Sequence, residues 1–551
     1  MKKTFLFFSI LIIAGFSAVF TLLPKVHSQN INTVKVYNSP IKTIIPEHNF
    51  IGLNWSHGCT YNRYLFANQK NLDALGRAIR ETNIDLIRYP GGISANYFHW
   101  DVSNKDVLYA LSKYREHGFN FITSSSPLDK LDFQRFMNFC KRNGLKADVQ
   151  VNVQNIFDKK NKKILLLKKY EMDIKNKRIK NTGKVDWKLV EQAAKSAARQ
   201  VRWVQNQGYS DIVKYWEIGN EDYCKEPFIS GYTAEEYARV ASIFIKKMKA
   251  VDPSIKFILT NMVDYYIKDH NKWSEKVLNS SYLADHNDSI YAVSNHIYGW
   301  GKTYSDKSYE TFYEKNIKSK SNDMTRRLNL HESIINSTKM KNTTIFVNEF
   351  NQAYLTNPYI HSWLGAIGNS EMVLSCVNNP YCGHIGYHEM MLSWCNDDAY
   401  QNGGFGLYHL AKHSPVPIIR YMQSYAIELL NDVIKGKALK TDFVKQGIFA
   451  SAVKNNDEVK VILLNKGQDR KINLELKNFV GFEYYKNRSL GIDVPEKLTA
   501  IDTGDSCHNP DEIRVLNILN NKIEIKEGNQ GYNILAPANT ISVFYFRKGA
   551  A

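Results

Sequence analysis

The feature that most constrains the fold is a regular alternation of short β-rich runs with longer helical patterns, from about residue 46 to residue 400. Apolar and β-branched runs predict strands, and the amphipathic spacing between them predicts helices. Strands that alternate with helices form parallel sheets, and eight such units close into a barrel. We therefore predict an α/β chain with a (β/α)8 TIM barrel, whose strands are expected at 50–53, 84–89, 147–153, 212–218, 256–260, 292–298, 344–348 and 385–388.

The pattern changes after a last helix that ends near residue 434. Short alternating runs follow, separated by Asn, Lys, Gly and Asp turns, which is typical of an antiparallel β-sandwich. The chain has 551 residues, more than the roughly 250–300 that one core usually serves. We predict a signal peptide or anchor at 1–28, a strand at 29–45 that joins the sandwich, the barrel at 46–434 and the sandwich domain at 435–551.

The N-terminus resembles an export signal. Lys2 and Lys3 precede an uncharged, mainly apolar run at 4–23, and small or modest side chains at 26–28 precede a cleavage point before Gln29. The run also approaches the roughly 20 residues that span a bilayer, so it could instead remain as an N-terminal anchor. The expected location is therefore periplasmic, extracellular or at the cell surface.

Positive charge is concentrated in one segment. The formal net charge is +18, and residues 158–184 hold eleven basic and three acidic residues, a net +8, between the third predicted barrel strand and its helix. One interpretation is a solvated, Lys-rich loop; the other is a basic rim on the active face of the barrel, which would favour anionic glycans. No nucleic-acid-binding motif accompanies the charge, so nucleic acid is not expected as a partner.

The seven cysteines do not form a metal-binding pattern. No CxxC pair occurs, and the Pro-Gly-Gly turn at 90–92 lacks the spacing that cradles phosphates. We expect no metal and no cofactor. A disulfide between Cys376 and Cys382, or between Cys382 and Cys395, is one interpretation of the closest cysteines, and isolated buried thiols are the other.

Two Asn-Glu pairs carry the chemistry. Tyr-Trp-Glu-Ile-Gly-Asn-Glu ends at Glu221, and Ile-Phe-Val-Asn-Glu ends at Glu349; in both, a predicted barrel strand runs into Asn and then Glu. Carboxylates at the carboxyl ends of two barrel strands are the pair that glycoside hydrolysis needs, one to protonate the leaving oxygen and one to attack or to activate water. Glu217 lies inside its strand, where a structural ion pair suits it better.

These motifs resemble clan A of the glycoside hydrolases, in which an acid/base Glu follows Asn after strand four and a nucleophile Glu ends strand seven. The segment Arg-Tyr-Pro-Gly-Gly at 88–92 is similar to that of the family 51 α-L-arabinofuranosidases, and the His-x-Tyr at 296–298 also matches. The resemblance extends over the barrel and the sandwich. Glu-Phe-Asn at 349–351 departs from the Glu-Trp-Asn of many family 51 members, and the insertion at 158–184 is not typical of them.

The resemblance implies a role for each matching residue. Glu221 would be the general acid/base and Glu349 the nucleophile of a retaining enzyme, with their carboxyl groups roughly 5–5.5 Å apart. Asn220 would hydrogen-bond the sugar 2-hydroxyl, and Arg88 would pair with Glu349 and lower its pKa. Among the other matches, Tyr298 would donate to Glu349 and His296 would line the sugar pocket.

Tryptophans at strand ends predict a sugar-stacking platform around the barrel mouth; they are Trp55, Trp100, Trp300 and Trp394. The expected partner is a polysaccharide or oligosaccharide, and the first expectation is an α-L-arabinofuranosidase. A glucuronidase, xylosidase or endoglycanase of the same clan is an alternative, as is an inert carbohydrate-binding protein on this scaffold. Retention of both glutamates together with Asn220 and Arg88 favours an enzyme.

Overall fold

The structure is a computed structural model, and it describes most of the chain between residue 32 and residue 549. The described ranges are 32–55, 69–112, 133–168, 171–173, 178–180, 183–226, 229–263, 268–298, 323–351, 363–390, 406–410, 418–443, 447–491, 523–528 and 531–549. The predicted export signal therefore lies outside the described residues. Among the described residues, no helix is long and apolar enough to cross a membrane.

A closed barrel of eight parallel strands forms the larger part of the molecule, as predicted. The predicted strand ends differ from the observed ones by at most three residues. In order around the barrel, the strands are β2 (Ile51–Asn54), β3 (Leu86–Tyr89), β4 (Lys146–Val151), β9 (Val213–Ile218), β12 (Lys256–Thr260), β13 (Ile290–Tyr298), β14 (Thr344–Asn351) and β15 (Cys382–Tyr387).

Amphipathic helices flank this barrel and bury their apolar faces against it. Capping residues set the starts of two of them. Asp186 accepts hydrogen bonds from the first-turn amides of α4 (Trp187–Asn206), and Thr233 and Glu236 form a capping box at α5 (Ala234–Lys249). The described helices are α1 (Gln69–Glu81), α2 (Asn104–Ser112), α3 (Phe133–Asn143), α4 (Trp187–Asn206), α5 (Ala234–Lys249), α6 (Lys268–Leu278), α7 (Asp323–Asn336), α8 (Trp363–Asn378) and α9 (Met422–Val433), with 3-10 turns at Gly92–Asn96 and Ser281–Ser289.

The C-terminal part is rich in strands, as predicted, and its described strands form one continuous sheet of nine. The N-terminal strand β1 (Asn32–Thr43) lies inside this sheet, antiparallel to β18 (Lys437–Phe443) and parallel to β21 (Arg470–Lys477). The other members, which follow the barrel in sequence, are β18 (Lys437–Phe443), β19 (Ile448–Asn455), β20 (Glu458–Asn465), β21 (Arg470–Lys477), β22 (Phe482–Leu490), β23 (Ile525–Gly528), β24 (Gly531–Ala536) and β25 (Thr540–Lys548).

Helix α8 joins the two parts of the molecule. Nearly all of its residues are buried, because the barrel covers one side and strands of the sheet cover the other. Lys466 of the sheet forms a buried ion pair with Glu371 of α8, with 2.6 Å between Nζ and Oε2. From β1, the Lys42 ammonium donates to the carbonyl of Asn379 at 2.7 Å. The sheet is thus anchored to the barrel by polar as well as apolar contacts.

Short antiparallel strand pairs lie in the loops between the larger elements. The basic insertion contains two antiparallel pairs in its described part, so it is structured there and is not an open loop. The short strands are β5 (Asn155–Asp158), β6 (Lys163–Leu166), β7 (Glu171–Asp173), β8 (Arg178–Lys180), β10 (Lys225–Glu226), β11 (Ile229–Ser230), β16 (Tyr408–Leu410) and β17 (Ile418–Arg420).

The cysteines follow the second interpretation of the sequence. Cys376 and Cys382 are buried free thiols, so the predicted bond between them is not formed. Both thiols are fully buried, Cys376 on α8 and Cys382 on β15. Cys395 lies outside the described residues.

Candidate active site

The carboxyl ends of the barrel strands bring the two predicted glutamates together. Glu221 follows β9, the fourth barrel strand, and Glu349 lies near the end of β14, the seventh. His296 of β13 lies beside Glu349 in the strand register. One carboxylate oxygen of each glutamate and a ring nitrogen of His296 all lie within 4.8 Å of one another. Retaining glycosidases have their two carboxyl groups roughly 5–5.5 Å apart, so these glutamates are close enough together for that mechanism.

The sequence around Glu221 forces the turn that presents it. Gly219 has a φ of 88°, and a Cβ at this position would collide with the carboxylate of Asp222. Glu221 itself has a φ of 51°, a left-handed conformation that a non-glycine residue seldom adopts. The Gly-Asn-Glu sequence therefore ends the strand abruptly and turns the Glu221 side chain into the barrel mouth, where it is part-exposed.

Arg88 is the centre of the site. It is buried at the end of β3, and its Nη1 lies 2.7 Å from Oε1 of Glu349, as the resemblance implied. Its Nε lies 2.6 Å from Oε2 of Glu217, which is the structural ion pair expected for that glutamate. Nη2 also donates to Oδ1 of Asn220 at 2.9 Å. One guanidinium thus holds both carboxylates and the Asn amide in fixed positions.

Glu349 is held in its ionised form. Burial alone would raise its pKa, but the positive charges of His296 and Arg88 and a hydrogen bond from Tyr298 outweigh burial and lower the pKa well below its usual range. The Tyr298 hydroxyl donates to Oε2 of Glu349 at 2.6 Å. An ionised, partly desolvated carboxylate has the character of a nucleophile.

Glu221 has different neighbours. Its Oε1 lies 2.8 Å from Nδ1 of His296 and accepts from the Tyr223 hydroxyl at 3.2 Å. Burial alone would lower the pKa of His296, but the negative charges of Glu349 and Glu221 outweigh it and raise the pKa. His296 is therefore more than a pocket wall, because its Nδ1 contacts both carboxylates, at 2.8 Å from Glu221 and 3.5 Å from Glu349.

A cation could in principle use the same donors, because Glu221, His296 and Glu349 each offer one ligand atom. However, the permanent charge of Arg88 lies 2.7 Å from Glu349 and repels a metal ion there. The donor set suits carboxylate chemistry better than metal binding.

Several polar residues in the site were not predicted. Asn54 at the end of β2 accepts from Arg88 at 2.8 Å, and Gln150 on β4 donates to Oδ1 of Asn220 at 3.3 Å. His388 follows β15 and has Nδ1 3.8 Å from Oε2 of Glu349; burial lowers its pKa, so the ring is neutral at neutral pH. Each belongs to the carboxyl-terminal half of a barrel strand or directly follows it. The same strand-end rule that identified the glutamates would have found them.

The prediction that Trp55 belongs to an aromatic platform is wrong. Trp55 is fully buried and packs edge-on against Phe136 and Phe139 of α3, so it presents no face to a sugar in the mouth. Trp100 is turned towards α4, where its Nε1 donates to the Ser196 carbonyl at 3.2 Å. Helix α3 covers the ring of Trp55, whereas Trp100 is part-exposed beside α4. Trp300 and Trp394 lie outside the described residues.

A family model matches part of the chain. The model of the "Alpha-L-arabinofuranosidase 1 domain" matches residues 78–319, which include Arg88, Glu221 and His296. The chain resembles family 51 of the clan A glycosidases. A curated relative, the intracellular exo-α-(1→5)-L-arabinofuranosidase of Streptomyces lividans, is 22% identical over 236 residues, which are 41% of this chain and 32% of the relative. The chain thus spans about a third of the length of the curated relatives it matches.

Solved structures share the fold over nearly the whole chain. The α-L-arabinofuranosidase of Thermotoga maritima in complex with arabinose has a TM-score of 0.64 at 16% identity and covers 93% of this chain and 99% of its own. A family 51 α-L-arabinofuranosidase from Bifidobacterium longum has a TM-score of 0.67 at 12% identity, with 94% and 100% covered. At these identities the likeness shows the architecture, a TIM barrel with an added sheet domain.

The comparisons overturn the expected location. The three curated relatives from Streptomyces lividans, Halalkalibacterium halodurans and Bacillus subtilis are all named intracellular arabinofuranosidases, which points away from an exported protein. The prediction of export rested on charge and apolarity at the N-terminus, a composition that is not confined to secretory signals.

Proposed function

We propose that the protein is a retaining glycoside hydrolase whose first substrates are α-L-arabinofuranosides. The observation that carries the proposal is the pair formed by Glu221 and Glu349, with oxygens within 4.8 Å of each other and with different surroundings. Arg88 and Tyr298 hold Glu349 ionised, whereas Glu221 contacts His296 and Tyr223 and is part-exposed. An ionised base and a separate proton donor on two strands are the requirements of double displacement.

In the first step, one oxygen of Glu349 attacks the anomeric carbon while Glu221 gives its proton to the departing glycosidic oxygen. The carbon–oxygen bond to the leaving group breaks with its electron pair, and a covalent glycosyl ester with Glu349 forms. Asn220 supports this step. Its Oδ1 is fixed by Arg88, and among the described residues its buried Nδ2 has no hydrogen-bond partner, so it can donate to a sugar hydroxyl.

In the second step, Glu221 takes a proton from water, and the hydroxide so generated attacks the anomeric carbon. The ester bond breaks, Glu349 leaves as a carboxylate, and the sugar departs with its configuration retained. His296 contacts both glutamates and serves this exchange. While Glu349 is esterified, His296 lacks one of the negative charges that raise its pKa. Once the ester is hydrolysed, Glu349 is a carboxylate again and Glu221 is back in its acid form with the proton taken from water.

The substrate class rests on the match to the arabinofuranosidase domain and on the names of the relatives. A panel of 4-nitrophenyl glycosides tests it, comparing α-L-arabinofuranoside, β-D-xyloside, β-D-glucoside and β-D-glucuronide. We expect the arabinofuranoside to give a kcat/KM at least about tenfold above the others. Faster turnover of the xyloside or glucuronide would move the protein to another family of the clan.

The mechanism is tested on the best substrate of that panel with Glu349→Gln. We expect kcat to fall by more than about 10⁴-fold, because the nucleophile is lost while the shape of the site is kept. The matched control is Glu235→Gln, an exposed glutamate on α5, which should leave kcat unchanged. Wild-type turnover by Glu349→Gln would show that Glu349 is not the nucleophile. Saccharide binding without turnover by the wild-type chain would identify a binding protein instead.

A further inference from the structure

A second cavity lies beside the barrel mouth. It has a volume of about 430 Å³ and is enclosed by residues 98–102, by β5 with the turn that follows it, and by α4. Gln150 is the shared wall: it lines the cavity, and it also donates to Oδ1 of Asn220 in the candidate active site. The described residues that line the cavity include neither Glu221 nor Glu349, so it is a separate compartment of a size that suits a small ligand.

A buried amide donor without a partner lies in the wall of this cavity. Gln200 of α4 is 3% exposed and lines the cavity. Within the described part of the chain, its Nε2 finds no hydrogen-bond acceptor. Buried amide groups are almost always hydrogen-bonded, so this wall of the cavity holds an unused hydrogen-bond donor.

The rim of the cavity is positively charged. Lys159, Lys195 and Arg199 line it, and Asp101 is the one acidic residue among its described lining. Asp101 lies 2.9 Å from Lys159 and 3.7 Å from Arg199, so one carboxylate serves two cations. The local balance is therefore net positive, and Lys159 belongs to the basic insertion that the sequence singled out. A carboxylate on a ligand would complete the pairing of these cations.

The walls offer aromatic surface as well as charge. Trp100 lines the cavity and is held by hydrogen bonds from its Nε1 to Ser196, while Phe157 of β5 lines it from the opposite hairpin. Aromatic faces next to amide donors are the usual means of binding sugar rings. Flat apolar faces, an orphan amide and an unbalanced cationic rim together match a sugar that carries a carboxylate.

We propose that this cavity binds a uronate unit of a saccharide, at a site distinct from the catalytic carboxylates. The inference rests on the proposed function only for the choice of a saccharide as ligand. It gives the basic insertion a role: the first part of the insertion would help to recognise acidic side groups or neighbouring acidic chains of the substrate.

The test measures binding in the full chain carrying Glu349→Gln, so that no turnover consumes the ligand. Calorimetric titration with a galacturonate trimer is compared with titration of its methyl ester, which has the same shape without the charges. We expect the acid to bind at least tenfold more tightly than the ester. Lys195→Ala with Arg199→Ala should reduce the affinity for the acid at least tenfold, and Trp100→Ala should weaken both ligands.

The matched control is Lys188→Ala, an exposed lysine on the same helix that does not line the cavity, and it should leave the affinity unchanged. Equal affinities for acid and ester would overturn the proposal, as would full affinity in the Lys195→Ala/Arg199→Ala variant. Displacement of the trimer by inorganic phosphate at equal concentration would also overturn it, because the cavity would then recognise an anion and not a sugar. Since binding is measured without turnover, a failed glycoside panel and a failed titration are separate results.

Discussion

Two layers of side chains inside the same barrel have opposite chemistry. The lower layer is apolar and aromatic and is fully buried; it consists of Leu86, Tyr215, Ile258, Ala292 and Phe346. Two residues further along three of these strands, on the same inward face, lie Arg88, Glu217 and Asn348. Side chains of a strand alternate between its two faces, so residues i and i+2 point the same way. Moving two residues along a strand therefore leads from the apolar layer to the charged layer.

The difference separates stability from chemistry. In the lower layer, Phe346 packs edge-on against Tyr215 with 5.1 Å between ring centroids, contacts that lower the free energy of the folded state. In the upper layer, burial and the charge of Glu217 raise the pKa of Asp148, which lies opposite Arg88 in the strand register. Charges taken from water cost stability unless they are paired. In the described interior of the barrel, this charged layer lies at the end where the candidate reaction takes place.

Activity should be very sensitive to replacement of Glu221, the proposed proton donor beside the upper layer. With Glu221→Ala, we expect kcat/KM on a natural arabinan oligosaccharide to fall by at least about 10³-fold, because its leaving group must be protonated. A 2,4-dinitrophenyl glycoside leaves without a proton, so its first step should lose less than about tenfold. Steady-state and pre-steady-state rates on the two substrates measure the difference.

Glu191→Ala, a surface carboxylate of α4, provides the control for Glu221→Ala, and its rates should equal those of the wild type. Equal losses on both substrates by Glu221→Ala would remove the acid role from Glu221 and leave it a positioning residue for His296.

The next effect is expected at the cation that organises the layer. Arg88→Lys keeps a positive charge but cannot hold Glu217 and Glu349 at once, so we expect kcat/KM to fall about 10²-fold. Arg88 is one of the groups that lower the pKa of Glu349, and Glu349 must be ionised to attack. Weakening that contact raises the pKa, so the acidic limb of the pH–rate profile should move to higher pH.

Exposed Arg77→Lys on α1 is the matched control and should leave both rate and profile unchanged. A lower rate with an unmoved acidic limb would assign Arg88 to the placement of Asn220 and Glu217 and not to the ionisation of Glu349.

The upper layer was largely predictable from sequence, and the reason is local. A strand pattern and the residues that directly follow it are adjacent in the chain, so Asn220 with Glu221, and Glu349, could be assigned to the barrel mouth without knowledge of any tertiary contact. The barrel itself was predictable for the same reason, because its eight strands alternate regularly with helices. The role of Arg88 was instead implied by the resemblance to family 51, and the residue lies at the end of β3.

The rest depends on contacts between distant segments. Trp55 looked like a sugar platform because it follows a barrel strand, but Phe136 and Phe139, more than 80 residues away, enclose its ring. Nothing near Trp55 in the sequence reports the position of α3. Likewise, the pattern after residue 434 indicated strands but not their order, and one continuous sheet arises because β1 enters between β18 and β21. Local periodicity contains no information about such pairing.

Asp222, directly after Glu221, tests what burial of a carboxyl costs near the upper layer. Burial raises its pKa to about 7, whereas the unfolded chain ionises it near 3.8. Between these values the native state binds the extra proton, so rising pH destabilises the fold. Replacing the carboxyl with an amide in Asp222→Asn should remove about 3 kcal/mol of the stability lost between pH 5 and pH 8. Urea denaturation at both pH values measures this.

For Asp222→Asn, the control is Asp73→Asn, an exposed position on α1, which should keep the wild-type dependence. An unchanged pH dependence in Asp222→Asn would mean that Asp222 is ionised in the native state.

The smallest effect is expected in the lower layer. Phe346→Leu removes part of a buried ring and should lower the free energy of unfolding by roughly 1–2 kcal/mol, since the layer loses packing contacts. Its kcat at 25 °C should stay within about twofold, because Asn348 and Glu349 keep their backbone positions on β14. Val480→Ala, at a side chain that is 88% exposed, controls for the stability measurement. If Phe346→Leu instead reduced kcat as much as Arg88→Lys does, with unchanged stability, the two layers would be one functional unit and the division between them would fail.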